Sequence, residues 1–293
     1  MLVSVYIPTR NRRTLVERAV RSVLEQDHEN LEVFVVNDAS TDDTEEFLAG
    51  LSASDPRLTV FSNDQPKGAP TARNRAIAAA TGAFITGLDD DDYFEPTRLS
   101  SFLAAWKRFE SEGKQPSCLY SQSVWMQDGQ QKFVSNKPAT VEYPDLFTQN
   151  VIGNQVFAPR AHFIGAGLFD EQLPAWQDLD LFIRILRKYG TAHLVPVPTY
   201  FYDDEERVDR ISAKGERIRI ARARIAAKHT DLDPRLLLSL YMQMFSGFYD
   251  IPPTLADIRF LLTNRPSFRH VRRMVRRVVG MPLSRRRFSS NAQ

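Results

Sequence analysis

The sequence predicts an α/β fold built on a doubly wound sheet, and three observations carry that expectation. Apolar, β-rich runs alternate with helical periodicity through the first hundred residues. Each run ends in a short polar segment, as strands of an open sheet do where they feed a helix. Beyond Phe94 a hairpin signal interrupts the alternation, so the sheet is expected to be mixed rather than wholly parallel.

The elements follow in order. Leu2–Ile7 is a strand closed by Pro8-Thr9, and residues 14–25 are helical, with Leu15, Ala19, Val23 and Leu24 on one face. Leu31–Val36 is the second strand, ending at Asn37-Asp38-Ala39-Ser40, and Ser40 to Asp43 offer N-cap chemistry for a helix carrying Phe47, Leu48 and Leu51. Leu58–Phe61 is the third strand and Ala69–Ala80 an alanine-rich helix stopped near Gly82. Such alternation implies parallel strands joined by right-handed crossovers. Arg98–Phe109 is a further helix, and Asp128-Gly129 is a hairpin turn between Leu119–Met126 and Gln131–Ser135. Trp176–Tyr189 is an amphipathic helix, and Leu194–Tyr202 a strand whose Pro196 and Pro198 suggest an edge. Asp203–Ser212 is a polar loop, and helical signals run from Ala213 onward, broken by Pro252-Pro253. The division expected is a sheet-bearing domain over 1–212, in halves meeting near residue 100, and a helical extension over 213–293.

The fourth strand, Ala83–Leu88, runs into four consecutive aspartates, Asp89 to Asp92. Adjacent ionised carboxylates repel, so the cluster needs an offsetting charge or full solvation. It lies at the carboxyl end of a strand, where open sheets bind ligands. Mg²⁺ and Mn²⁺ take oxygen ligands, commonly one or two carboxylates plus substrate phosphates. A metal–diphosphate site and an acidic turn capping the helix after Pro96 are both open readings. Asp38 fits either a hydrogen bond to a nucleotide base or ribose, or an Asx-type cap. Arg73, in an alanine-rich helix, fits an anion partner or a snorkelled surface arginine. No glycine-rich phosphate loop is present, so phosphate charge must be met by metal and side chains.

Composition bounds the class. Of 293 residues, 43% are hydrophobic and 25% charged, ordinary values for a globular chain with an ample core. Cys118 is the only cysteine, which excludes a disulfide framework and a cysteine zinc cluster within one chain and suits a buried inert thiol. Leu2–Pro8 is too short for a signal peptide, and no stretch nears the roughly 20 apolar residues that span a bilayer. A cytoplasmic protein is expected. Residues 265–293 hold nine arginines and no Asp, Glu or Lys, so the net charge of +2 divides into −7 for residues 1–264 and +9 for the tail. Within the tail, Phe268, Val271, Met274, Val275, Val278 and Val279 share a helical face and arginines fill much of the other. That pattern suits an anionic membrane surface, or a helix docked on the acidic body. No nucleic-acid motif accompanies it, and no nucleic-acid partner is expected.

Four segments together resemble family 2 glycosyltransferases of the GT-A fold: Val3 to Arg12, Val35 to Asp42, Ala72-Arg73-Asn74, and Leu88 to Asp92. Order, spacing and strand context agree over roughly residues 2–100, and Gln177-Asp178 extends the match. The resemblance implies an inverting, metal-dependent transferase of cell-surface polysaccharide or lipopolysaccharide synthesis, with Mn²⁺ or Mg²⁺ as cofactor. Its donor would be a UDP- or dTDP-sugar and its acceptor a glycan or lipid-linked hydroxyl. Thr9 and Asp38 then belong to the base pocket, with Asp38 on the pyrimidine, Pro8 and Asn11 are counted among the donor-binding residues, and Arg73 lies near the base and diphosphate. Asp89 and Asp90 serve the ribose and diphosphate, and Asp91 is the metal ligand. The commoner family form at 37–40 is Asp-Asp-Gly-Ser, so Asn37 and Ala39 depart from it. Asp178 aligns with the general base, or serves as a first-turn carboxylate favoured by the helix dipole, and Gln177 replaces the family's usual glutamate. Asp180 points elsewhere on the helix and is the weaker base. Trp176 fits either a sugar platform or core packing. Arg207 and Arg210, in the polar loop, suit a lid that clamps the diphosphate. The alternatives are a catalytically silent nucleotide-sugar binder or membrane-docked scaffold, and a metal-dependent nucleotidyltransferase.

Overall fold

A computed structural model of the chain describes residues 1–203, 215–249 and 251–279. Strands β1 (Val3–Thr9), β2 (Leu31–Asn37), β3 (Leu58–Ser62) and β4 (Phe84–Gly87) are parallel in the order β3-β2-β1-β4. Helices α1 (Arg13–Leu24), α2 (Thr44–Ser54) and α3 (Ala69–Ala79) connect them. The two faces of β1 explain its unbroken apolar run. Val3, Val5 and Ile7 pack with Val16, Ala19 and Val20 of α1, while Tyr6 packs with Ala72, Ala76 and Ile77 of α3.

Past β4 the sheet becomes mixed. It continues through β9 (Phe157–Pro159), β6 (Leu119–Gln127), β10 (Ala192–Asp203) and β5 (Tyr93–Phe94). β9 runs antiparallel to β4, and β10 parallel to β6. The expected hairpin joins β6 to β7 (Gln130–Val134), and its Asp128 and Gly129 have φ of 51° and 69°. Two successive left-handed residues are what a type I′ turn requires.

One expectation is corrected. Residues Leu194–Tyr202 do not form an edge strand: β10 lies between β6 and β5 and also pairs with β8 (Thr140–Val141). Its prolines are tolerated because the pairing with β6 slips between Val195 and Pro198 and again between Pro198 and Tyr200. The missing N–H groups fall where the ladder is already irregular. The elements that the sequence pattern left unmarked, β5, β8, β9, α5 (Tyr143–Thr148) and α6 (Arg160–Gly165), span six residues or fewer. Periodicity cannot register over so short a run.

Helices α4 (Arg98–Ser111) and α7 (Gln177–Tyr189) complete the sheet's covering. The extension comprises α8 (Gly215–Lys228), α9 (Pro234–Gln243), α10 (Leu255–Thr263) and α11 (Phe268–Val278). Ile218, Ala221, Leu238 and Met242 join the apolar cluster that holds Leu146 of α5 and Phe182 of α7. The extension therefore shares a core with the second half of the sheet. Among the described residues no helix is long and apolar enough to cross a membrane. Cys118 is buried, and burial pushes its thiol up to about 12, as expected of an inert cysteine.

Gly87, the last residue of β4, is the register partner of Tyr6. A Cβ there would run into the Tyr6 ring and Gln155 Oε1, which are themselves joined by a 2.8 Å hydrogen bond from the Tyr6 hydroxyl. Gly87→Ala is expected to cost about 1–3 kcal/mol of stability by overpacking, measured by urea denaturation. An unchanged midpoint would show that this junction is loosely packed.

Candidate active site

β1, β2 and β4 end side by side, and the loops that follow them are tied together. Asn11 has a φ of 53°, its N–H donates to Ser40 Oγ at 2.8 Å, and its Oδ1 accepts from Thr41 N at 2.7 Å. Ala39 is held at φ 59°, the left-handed region in which glycine is unstrained. Glycine is the residue the resemblance leads one to expect at this position, so alanine keeps the shape at a cost of order 1 kcal/mol. Asn37, completely buried, accepts from Ser40 N at 3.1 Å. Pro8, half-buried, pairs with Val36 in the sheet.

Asp38 is buried and anchors the entry to α3. Its Oδ1 accepts from Asn63 Nδ2 and Lys67 N at 2.8 Å each, and its Oδ2 from Gly68 N at 2.7 Å. Gly68 is the N-cap of α3, so this carboxylate bridges the end of β2 to the helix that carries Arg73.

The four aspartates meet donors from several elements, with Arg12 shared by Asp90 and Asp91 and Asn154 by Asp89 and Asp92. Asp90 is buried, accepting from the Thr9 hydroxyl at 2.8 Å and from Arg12 Nη1 at 2.8 Å. Burial nevertheless raises its carboxyl to about 6, against the pull of Arg12. Asp91 also meets Arg12 Nη1, at 3.3 Å, and its carbonyl accepts from Arg18 Nη2 at 2.6 Å. Asp89 accepts from Arg73 Nη2 at 3.0 Å, Asn154 Nδ2 at 2.7 Å and Gln155 Nε2 at 2.9 Å. Asp92 accepts from the Tyr200 hydroxyl at 2.6 Å and from Asp203 N at 3.0 Å, and burial raises its carboxyl. Arg98 N, at the start of α4, donates to Glu95 O, so the aspartates are not the cap of that helix.

Arg73 connects this cluster to α7. Its Nη1 donates to Gln177 Oε1 at 3.3 Å, and Gln177 also donates to Leu173 O. Gln177 thus keeps an acceptor where a glutamate would bring a charge. The next residue, Asp178, accepts from Asn150 Nδ2 at 3.0 Å, and Asn150 is folded over Gly153 through two further bonds. Burial raises the Asp178 carboxyl to about 6, offset by the Leu179 N–H and by Arg73. Trp176, the N-cap of α7, has a φ of 58° and is 7% exposed, packed against Tyr249 at 5.7 Å between ring centroids. It is a core residue rather than a sugar platform. Asp180 is fully buried and bound to Arg184 and Lys228, which removes it as a base.

The structure thus gathers Thr9, Asp89, Asp90, Asp91 and Arg73 into one network that reaches the start of α7, while Asn11 and Asp38 hold the surrounding loops. Arg207 and Arg210 lie outside the described residues, so the lid expectation is neither met nor lost. Sequence reasoning missed Arg18, Gln155, Asn150, Asn154 and Tyr200. Arg12 lay inside the Pro-Thr-Arg-Asn-Arg run and could have been found there, whereas Arg18 and Tyr200 sit in an expected helix and strand whose periodicity marks no site, and Asn150, Asn154 and Gln155 in a stretch with no pattern. Among the described residues no three His, Cys, Asp or Glu side chains converge as a metal-binding group. The donor set fits only an ion that draws most of its ligands from phosphate and water.

A doubly wound sheet with acid-rich loops at its carboxyl ends is the architecture of GT-A glycosyltransferases. S. aureus TarS, solved in complex with UDP-GlcNAc, matches 96% of this chain and 84% of its own with a TM-score of 0.66 at 19% identity. The family model for glycosyl transferase family 2 matches residues 4–165, and the chain belongs to that family: it is a glycosyltransferase. WcaA of Escherichia coli K12, named for colanic acid biosynthesis, is 40% identical over 199 residues, 64% of this chain and 67% of WcaA. TuaG of Bacillus subtilis 168, named for teichuronic acid biosynthesis, is 35% identical over 200 residues, 66% of this chain and 75% of TuaG.

A base that titrates at about 6 is lost in acid. If Asp178 supplies it, kcat/KM is expected to fall as pH drops through about 6. Arg73 stabilises the charged carboxylate, so Arg73→Gln should move this limb upward by roughly one pH unit. Superimposable pH–rate profiles for the two proteins would remove Arg73 from the field of the base.

Proposed function

We propose that the chain transfers a sugar from a UDP- or dTDP-sugar, with inversion, to a hydroxyl of a glycan or lipid-linked acceptor in cell-surface polysaccharide synthesis. The observation that supports this most directly is Arg73, held between Asp89 and Gln177. It draws the aspartate-rich end of β4 and the start of α7 to one place, a donor side and a base side. The names of WcaA and TuaG support the polysaccharide context.

In this reading Asp178 accepts the proton of the acceptor hydroxyl as that oxygen attacks the anomeric carbon. The bond from that carbon to the diphosphate oxygen breaks on the opposite face, and its electron pair leaves with the nucleoside diphosphate. Arg12 and Arg73, already beside carboxylates, offset negative charge around the diphosphate. Asn150 keeps the Asp178 carboxylate aimed. Asp91 is the residue proposed to hold Mn²⁺ or Mg²⁺, which when bound would neutralise the departing diphosphate. Thr9 and Asp38, at the ends of β1 and β2, would border the base. Residues 1–212 would then form the catalytic domain and 213–293 an extension, and a lipid-linked acceptor would bring the enzyme to a membrane surface from the cytoplasmic side.

Calorimetry with UDP, dTDP, GDP and CMP, first with Mn²⁺ and then with EDTA, tests the donor side. Metal-dependent binding of one pyrimidine diphosphate is expected, and Asp91→Ala should abolish the metal dependence. Asp178→Asn should retain donor binding while transfer falls about 10²–10⁴-fold. Binding of none of the four nucleotides would overturn the donor assignment, and full turnover by Asp178→Asn the base assignment.

A further inference from the structure

The arginine-rich tail is not used by the transfer chemistry, and its described part has two different sides. α11 docks on α9 through one face. Met274 is buried at 3% exposure, Arg273 donates to Met242 O, and Arg277 donates to Phe245 O and Ser246 O just beyond the end of α9. These arginines cap carbonyls, as cations do near a helix C-terminus. The opposite face carries Phe268, Arg272, Val275 and Val279, spaced along one helical stripe. Phe268 is 80% exposed, Val275 54% and Val279 60%.

α10 repeats the arrangement. It buries Leu261 and Asp257, the latter paired with Arg219, and exposes Leu255, Arg259 and Leu262 at the same spacing, with the two leucines 86% and 66% exposed. Asp257 is the only acidic residue in 251–279, and it is buried. Large apolar side chains at such exposure, interleaved with arginine and with no exposed carboxylate, are what the headgroup boundary of a bilayer accommodates.

We propose that the outward faces of α10 and α11 dock the enzyme on an anionic lipid bilayer, with Leu255, Leu262, Phe268, Val275 and Val279 entering the acyl boundary and the arginines meeting lipid phosphates. Charge complementarity selects this occupant. A second copy of the same face would set arginine against arginine, and a nucleic acid would leave the leucines, valines and phenylalanine in water. The arrangement goes beyond the transfer reaction itself and stands whether or not the donor assignment holds.

Flotation of the full chain with vesicles tests it, since no nucleotide is needed. Binding to vesicles containing phosphatidylglycerol is expected, with little binding to pure phosphatidylcholine. Arg269→Gln with Arg272→Gln should weaken binding by roughly 25-fold, at about fivefold per arginine, and make it less salt-sensitive. Leu255→Ser with Phe268→Ser should weaken it at least tenfold while leaving the salt dependence in place. Both variants change exposed side chains, and unaltered thermal melting confirms that they are folded. The proposal is overturned if the wild-type chain remains with the soluble fraction, if either variant floats as well as wild type, or if duplex DNA competes vesicles off at equal phosphate. Concentration-dependent dimerisation abolished by the same serine substitutions, without vesicle binding, would likewise reassign the face to a second copy.

Discussion

Everything at the carboxyl edge of this sheet is arranged around the repulsion among four successive carboxylates. Asp89 to Asp92 cannot all face one direction as anions, and the chain surrounds them with donors, Asp90 and Asp91 sharing Arg12 and Asp89 and Asp92 sharing Asn154. Arg12 and Thr9 take Asp90, Arg73 and the 154–155 amides take Asp89, and Tyr200 takes Asp92. Those partners come from β1, its following loop, α3, the loop before β9, and β10. The mixed half of the sheet is therefore more than a covering, because without the loop before β9 and without β10 Asp92 would lose its donors and Asp89 would keep only Arg73. Burial raises the carboxyls of Asp90 and Asp92, so the anionic forms depend on the donors that surround them.

The same economy explains the strained backbone nearby. Asn11, Ala39 and Trp176 all adopt left-handed φ, and each lies at or beside a loop that sets a site residue. Backbone strain of this kind persists only where surrounding contacts overdetermine it. Asn11 is fixed by two bonds to the opposite loop, and Trp176 by packing against Tyr249 from the extension. Through Trp176 the extension bears on the direction in which α7 begins, and so on where Asp178 stands.

Helices α8 to α11 thus have two relations to the rest of the molecule. Their inner faces share the core of the second half, with Asp257, Arg219 and Tyr241 forming a buried polar junction. Their outer faces on α10 and α11 retain apolar surface that the monomer does not cover. A helix that is amphipathic in sequence need not hide its apolar stripe. Here part of the stripe expected on α11 is buried, at Met274, and part is turned outward, because the arginines at 273 and 277 find carbonyls at the end of α9.

Sequence alone determined the alternating strands and helices of the first hundred residues, the type I′ hairpin, the Asp-rich terminus of β4, and the separation of acidic body from basic tail. These are local properties, set by periodicity, turn chemistry and charge, and they are written in adjacent residues. It also marked Thr9, Asp38, Arg73, Asp89, Asp90, Asp91 and Asp178, because each lies in or beside a recognisable run. Tertiary structure alone decided the rest. The place of β10 inside the sheet depends on partners more than sixty residues away, Tyr120 and Phe94, that no proline pattern can announce. Asn154 and Gln155 became donors to Asp89 because β9 returns antiparallel to β4, and Asn150 became the partner of Asp178 because its loop folds over Gly153. A hydrogen bond across such separations depends on where the chain returns, and single-sequence periodicity carries no record of that.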